Sequence, residues 1–321
     1  MSTASPTVAQ LDTQSASVGL MPGVEVAFGK SYCCCWGWQF SFWGAWAEGS
    51  DQFTDVTSTS VVDTFSDTDV YPVGVVNTSV ETFFNNNNTL RVSRRNEIYN
   101  AELNFFRFGC IEPNPCGPVC DPCDPCNPCG GCQTGCGPRR FSGSFIGGFR
   151  YLSFSESFAF SSILDPNGVS NQDITYGIHV RNFLFGPQFG GSLEYQCSQR
   201  CSVFGGLKFG LYFNHIEHQQ RIGGSDDTAT LNTGPFAGTE YDFISEKDDL
   251  STMVESNVGI AYQFLPNWRA VAGYRVIGIS GLALAPGQIP LTPSFVPSIL
   301  LVNSSDALIL HGGFAGVEFA Y

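Results

Sequence analysis

Hydrophobic and polar residues alternate along most of this chain with a period of two, which is the signature of extended strands. Over residues 183–196, Phe183, Phe185, Pro187, Phe189, Leu193 and Tyr195 fall on one face, and Gly186, Gln188, Gly190, Ser192, Glu194 and Gln196 on the other. A short turn, Cys197-Ser198-Gln199-Arg200-Cys201, follows. The pattern then resumes, with Val203, Leu207, Phe209, Leu211 and Phe213 facing away from Ser202, Gly206, Lys208, Gly210 and Asn214. Residues 251–264 and 268–280 repeat it around the turn Leu265-Pro266-Asn267. Residues 36–47, 96–108, 141–154 and 307–321 fit the same template, and no stretch carries a helical period.

The eight segments are roughly 12–15 residues long, against about 5–6 for an ordinary strand and about 9–11 for a tilted membrane strand. Their connections differ in kind. Residues 197–201 and 265–267 are short turns, whereas 48–95, 155–182, 216–250 and 281–306 read as long loops. Short turns at one rim and long loops at the other is the outer-membrane barrel arrangement, with the short turns facing the periplasm. The predicted fold is all-β, a transmembrane antiparallel β-barrel of about eight strands with long outer loops. The barrel domain is 36–321, and 1–35 reads as a disordered N-terminal segment rich in Ser, Thr, Ala and Gln. A Cys/Pro-rich insert at 109–140 falls on the short-turn side. Closure requires the last strand to pair with the first, because an open edge in lipid leaves backbone groups unsatisfied.

Composition narrows the picture. Charged residues make up 14% of the 321 residues and aromatics another 14%, with a net charge of −14. Phosphate binding needs a basic face, so nucleic acid is excluded as a partner. No run of about 18 apolar residues is present, which excludes a membrane-spanning helix. Met1 to Leu20 lacks the charged-then-apolar pattern of a secretory leader, so the given start shows no signal peptide.

The polar face assigns the lumen. Its charges are Glu102, Glu194, Glu255 and Glu318 against Arg150, Lys208, Arg269 and Arg275, a neutral set. An eight-stranded barrel is just wide enough for side chains to fill, and buried charges must pair. A plugged, charge-paired interior is therefore expected. Trp36, Phe105, Phe141, Tyr195, Phe264, Trp268 and Tyr321 lie near the turn ends of their strands, where an interfacial aromatic girdle belongs.

Gly148-Phe149-Arg150-Tyr151-Leu152, the segment Leu184 to Leu211, Trp268-Arg269-Ala270 with Gly273-Tyr274-Arg275, and His311 to Phe319 resemble the β-barrel porin family of planctomycete outer-membrane proteins. The resemblance covers roughly 97–321. It implies a barrel fold in the cell outer membrane and says little about a solute.

Thirteen cysteines cluster in three places. Cys33 to Cys35 are adjacent. Cys110, Cys116, Cys120, Cys123, Cys126, Cys129, Cys132 and Cys136 occupy the insert. Cys197 and Cys201 flank a turn and are expected to bridge across it. The insert reads either as a disulfide-stapled loop or as a soft-metal thiolate tract. His215-Ile216-Glu217-His218 has the wrong spacing for a helical zinc motif and reads as a rim pair of histidines. His179 and His311 have no neighbouring nucleophile, so no catalytic triad is supported. The acidic residues Asp226, Asp227, Glu240, Asp242, Glu246, Asp248 and Asp249 read as a solvated loop.

The sequence therefore predicts a monomeric outer-membrane barrel with no catalytic residues and no cofactor. Its partners are outer-membrane lipid and the barrel-assembly machinery, and its role is structural, surface-interacting or that of a narrow pore. The alternatives are a barrel-embedded enzyme, or a soluble extracytoplasmic β-sandwich or lipocalin-like barrel that binds metal through the insert.

Overall fold

The alternation becomes strand over almost its whole length in a computed structural model that describes residues 20–32, 36–46, 50–55, 70–71, 89–109, 141–163, 173–224, 227–232, 234–290 and 295–320. The strands are β1 (Gly23–Tyr32), β2 (Trp36–Trp46), β3 (Ser50–Asp55), β4 (Val70–Tyr71), β5 (Thr89–Gly109), β6 (Phe141–Ile163), β7 (Ile174–Gln196), β8 (Cys201–Gly223), β9 (Thr230–Leu231), β10 (Asp242–Leu265), β11 (Trp268–Leu282) and β12 (Asp306–Phe319). Nine of them follow one another around a curled sheet in the order β1-β2-β5-β6-β7-β8-β10-β11-β12, each antiparallel to its neighbour. β3 continues the β2 position by pairing with the early part of β5. All eight segments expected from the sequence are strands in this sheet.

The expected loops are shorter than the sequence pattern implied, and the strands longer. β6, β7 and β8 each have 23 residues and β10 has 24. Most of 155–182 and 216–250 is therefore strand, including Asp242, Glu246, Asp248 and Asp249. The reason is an inversion of polarity along each strand. Near the short turns, the outward residues of β6 are Phe141, Phe145, Phe149 and Tyr151, all exposed. Beyond Tyr151 the outward positions become Ser153, Ser155, Ser157 and Ser161, while Leu152, Phe154 and Phe158 are buried inside. β7 changes at the same height, with Phe185 and Phe189 outward below, and Ile174, Tyr176, Ile178 and Val180 inward above. On β8, outward Leu207, Phe209, Leu211 and Phe213 give way to inward Ile216 and Ile222. The period of two never breaks; only the face that is apolar switches.

The outward apolar residues form a band. Ten strand steps from Phe141 to Tyr151, at ~3.4 Å each and a tilt of about 40°, give a height of about 26 Å, that of an outer-membrane belt. Beyond the band the barrel wall is polar outside and apolar inside, as in a water-soluble fold. That extension has its own core of Leu90, Val92, Phe158, Tyr176, Ile178, Ile216, Leu231, Tyr241 and Phe243, among others. The connection between β11 and β12 folds into this core, burying Ala283, Ala285, Val296, Ile299 and Val302. The expectation of a free outer loop at 281–306 is corrected accordingly.

Two further corrections concern the ends. Residues 23–32, expected to be disordered, form β1, in which outward Val24, Val26 and Phe28 alternate with Glu25, Ala27 and Gly29 on the other face. The first and last strands are not paired. β1 and β12 are the two ends of the sheet order, and among the described residues nothing pairs with their outer edges.

Candidate functional site

Strand register brings the interior charges together at mid-band height. Glu102 lies directly opposite Arg150, and Lys208 directly opposite Glu255. The β5–β6 and β8–β10 pairs meet across the lumen, and with Arg275 on β11 and Glu25 on β1 six strands contribute charges to one cluster. Arg150 is 1% exposed and its Nη2 donates to Glu102 Oε1 at 2.6 Å and to Glu255. Lys208 Nζ lies 2.8 Å from Glu102 Oε2 and 3.1 Å from Glu255 Oε1. Arg275 lies 3.6 Å from Glu255 Oε1 and 2.9 Å from Glu25 Oε2. Three carboxylates thus meet three cations, as burial in a low-dielectric interior demands.

Amides complete the cluster. Asn100 and Asn104 donate to Glu102 at 3.0 and 2.9 Å, and Gln188 donates to both Glu102 and Asn104. Tyr212 donates to Gln188 Oε1 at 3.3 Å. Its ring lies along its own strand over Gly210, where a Cβ would meet the hydroxyl oxygen at 2.0 Å. Only glycine admits that close approach. Above this cluster sits an apolar layer of Ile98, Leu152, Phe154, Leu184, Met253, Ile277 and Ile279.

The remaining sequence-predicted charges form a second group at the turn rim. Arg269 lies opposite Glu318 and bonds it, and its Nη1 is 3.3 Å from Glu194. All three are half-exposed and line or adjoin a cavity of about 270 Å³ with Arg200, Ser202 and Gln263. Glu25, Asn100, Asn104, Gln188 and Tyr212 were not singled out from the sequence. Glu25 was missed because its strand was read as disorder; the amides and the tyrosine carry no charge to mark them.

The polar extension holds a further set of buried polar contacts. Asn182 Nδ2 donates to Ala283 O at 2.8 Å while its Oδ1 accepts from Ala283 N at 2.9 Å. Glu156 pairs with Arg94 and accepts from Ala285 N at 2.8 Å. Gln220 donates to Gln288 O at 2.7 Å. These bonds hold the β11–β12 connection inside the barrel mouth.

Residues 7–293 match the family described as putative beta barrel porin-7. The chain belongs to this family. No curated protein matches it. Family and fold together give a porin-type β-barrel with an outer-membrane location, and among the described residues no helix is long and apolar enough to cross a membrane.

Within this porin-type barrel, the aromatic positions collect at the turn rim. Trp36 stacks on Tyr32 at 4.3 Å, Phe141 meets Tyr195 at 4.6 Å, and Trp268 meets Phe319 at 4.8 Å. Phe105 and Phe264 are exposed on the same face. Tyr321 lies outside the described residues.

The cysteines need one correction. Cys197 and Cys201 are free thiols rather than a bridge. Cys197 N donates to Cys201 O at 2.9 Å, and the Cys197 thiol points back to Tyr195 O, away from Cys201. The eight cysteines of the insert lie outside the described residues, as do Cys33 to Cys35. The strand ends flanking both stretches, Tyr32 and Trp36, and Gly109 and Phe141, are at the turn rim.

The His215–His218 stretch is also corrected. It sits within β8, so alternation splits it: His215 and Glu217 face outward and His218 faces inward, 2% exposed. His215 bonds Asp248 at 2.7 Å. Among the described residues, no cluster of three or more His, Cys, Asp or Glu is placed to hold a metal ion.

His218, five residues beyond the apolar band, is pushed down to about 4 by burial. Tyr176 donates to Gln220 Oε1, which turns the Gln220 amide nitrogen toward His218 Nε2 at 3.1 Å. Nε2 must accept, and Nδ1 donates to Ser245 Oγ at 2.9 Å. The ring is therefore neutral. Because the folded value lies below the unfolded one of about 6.5, its contribution is complete above pH 6.5 and is lost as pH falls toward 4. The loss should reach up to about 3 kcal/mol. Urea unfolding of the refolded protein should show this slope between pH 6.5 and 4, and His218→Gln should flatten it. An unchanged slope in the variant would assign it to other groups.

Proposed function

We propose that this outer-membrane barrel is a closed, non-catalytic scaffold that carries a folded polar extension beyond the membrane and presents it to surface partners. The observation that carries this reading is the Arg150 cluster. Six mutually paired charges occupy the lumen at mid-band, and an apolar layer lies above them. A solute path would have to part both. The cavity at the turn rim is a vestibule below that barrier.

Its partners on this reading are outer-membrane lipid around the band and the assembly machinery that inserts barrels; the protein works as a monomer. The cysteine-bearing insert faces the periplasm, an oxidising compartment in which disulfides form. Purified protein should be alkylated at Cys197 and Cys201 without reduction, and at the cysteines of the insert only after reduction.

The decisive experiment is electrical. Purified protein inserted in planar bilayers should give no unitary conductance steps up to high salt. Steady steps that persist across preparations would establish an open pore and overturn the closed reading.

A further inference from the structure

One buried amide on the barrel wall serves two partners at once. Gln220, fully buried on β8, donates from Nε2 to Gln288 O at 2.7 Å and faces His218 Nε2 at 3.1 Å, while its Oε1 accepts from Tyr176. Gln288 is the knot of the β11–β12 connection. Its side chain donates to Leu284 O at 3.1 Å and to Asn303 O at 2.7 Å, and accepts from Asn303 N at 2.9 Å, so it ties the two arms of the connection together. The wall grips that knot through Gln220, and the grip depends on a neutral His218.

We propose that the β11–β12 connection is a plug in the mouth of the polar extension and that protonation of His218 releases it. The proton enters the ring at Nε2, since Nδ1 already donates to Ser245 Oγ. Nε2–H then points at the Gln220 amide nitrogen, donor against donor. Turning the amide over presents Oε1 to the ring but also to Gln288 O, acceptor against acceptor. Either arrangement strands a buried polar group, which costs its full desolvation. Moving the connection away removes the conflict: Gln288 O meets water, and Gln220 turns to accept from the imidazolium. Among the described residues, no acid bonds His218. Val180 on β7 and Ser245 on β10 lie opposite it, and its own strand adds Asn214, Ile216, Gln220 and Ile222 to the inner face. The ionisable groups of the surrounding core are Tyr176 and Tyr241. The charged groups at this end of the lumen already have partners: Glu156 pairs with Arg94, Lys247 with Asp249, and Asp306 accepts from Leu284 N at 3.2 Å. The clamp of Asn182 on Ala283 has no ionisable member, so the β11 end stays while Gln288 and the short helix Val296–Ile299 leave. Release uncovers the core that Val296, Ile299 and Val302 complete, an apolar surface at the barrel mouth.

This inference needs the folded extension but not a closed lumen, so it is separable from the conductance test. Hydrogen exchange of the full chain in lipid at pH 7 and pH 4, corrected for the pH dependence of chemical exchange, tests it. Once the connection leaves, His218 regains an ordinary value near 6.5, against about 4 when covered. The opening equilibrium of peptides covering Gln288 and Val296 to Val302 should therefore rise on the order of 100-fold between pH 7 and pH 4. Peptides of β7 and β8 should stay protected. His218→Gln should keep the connection closed at both pH values, and Gln220→Leu should open it already at pH 7. Equal opening of the wild-type connection at both pH values would overturn the inference. So would acid opening that persists in His218→Gln, which would assign it to Glu156 or Asp249, and so would a connection that stays closed in Gln220→Leu. Loss of protection in β7 and β8 together with the connection would overturn it as well, because the whole extension would then be unfolding.

Discussion

Arg150→Ala should destabilise the barrel by about 3–5 kcal/mol, the cost of leaving buried partners without their counter-ion. Arg150 is 1% exposed, and it alone among the cations of the cluster is fully buried while touching both Glu102 and Glu255. Removing it leaves two carboxylates, 3% and 2% exposed, sharing Lys208. Their remaining amide donors, Asn100, Asn104 and Gln188, all serve Glu102, so Glu255 loses most. The double change Arg150→Met, Glu255→Gln should recover a large part of the loss, since Glu102 then keeps Lys208 and Arg275 keeps Glu25. Asp248→Ala, an exposed residue of the polar extension, is the control and should stay within about 1 kcal/mol. Unfolding in detergent or lipid measures all three. A loss at Arg150 no larger than at Asp248 would mean that water reaches the cluster.

Leu207→Arg should cost about 2–4 kcal/mol, the range for a cation on the lipid face near the bilayer midplane. Leu207 is 58% exposed on the outward face of β8, halfway up the apolar band. Twelve residues further along the same face of the same strand, Gln219 donates to Asp242 at 2.7 Å. Gln219→Arg should cost less than about 0.5 kcal/mol, because the site is beyond the band and an acid is at hand. The contrast between two outward positions on one strand is specific to a wall that changes solvent along its length. Equal costs would place both in the same medium.

The sequence was most legible where one face is aromatic. Phe185, Phe189, Phe209 and Phe213 advertise the band so strongly that its strands, their partners and their inward charges follow from spacing alone. Three kinds of feature were hidden by physics rather than by noise. First, beyond the band apolar residues move to the inner face, so Ser153, Ser155 and Ser157 look like a loop although they continue β6. Second, β1 is short and its outward face holds Val24, Val26 and Phe28 beside Lys30, too brief a run to stand out from the Ser/Thr-rich residues before it. Third, the bonds that seat the β11–β12 connection pair side chains with backbone far along the chain, as Asn182 does with Ala283, and no local pattern encodes them. Within the cluster, cross-strand charge pairs such as Glu102 with Arg150 were readable as charges on one face, but their partners in space came only with the register.

The account stands on one claim above the rest: the outward aromatic and aliphatic band of this barrel lies in lipid. Refolding the full chain in the presence and absence of lipid vesicles tests it directly. The expected result is that vesicles alone yield a folded form that stays with the lipid through an alkaline wash and migrates faster on unheated gels than after boiling. A chain that folds to a stable, water-soluble monomer without lipid or detergent, and leaves vesicles unoccupied, would contradict it.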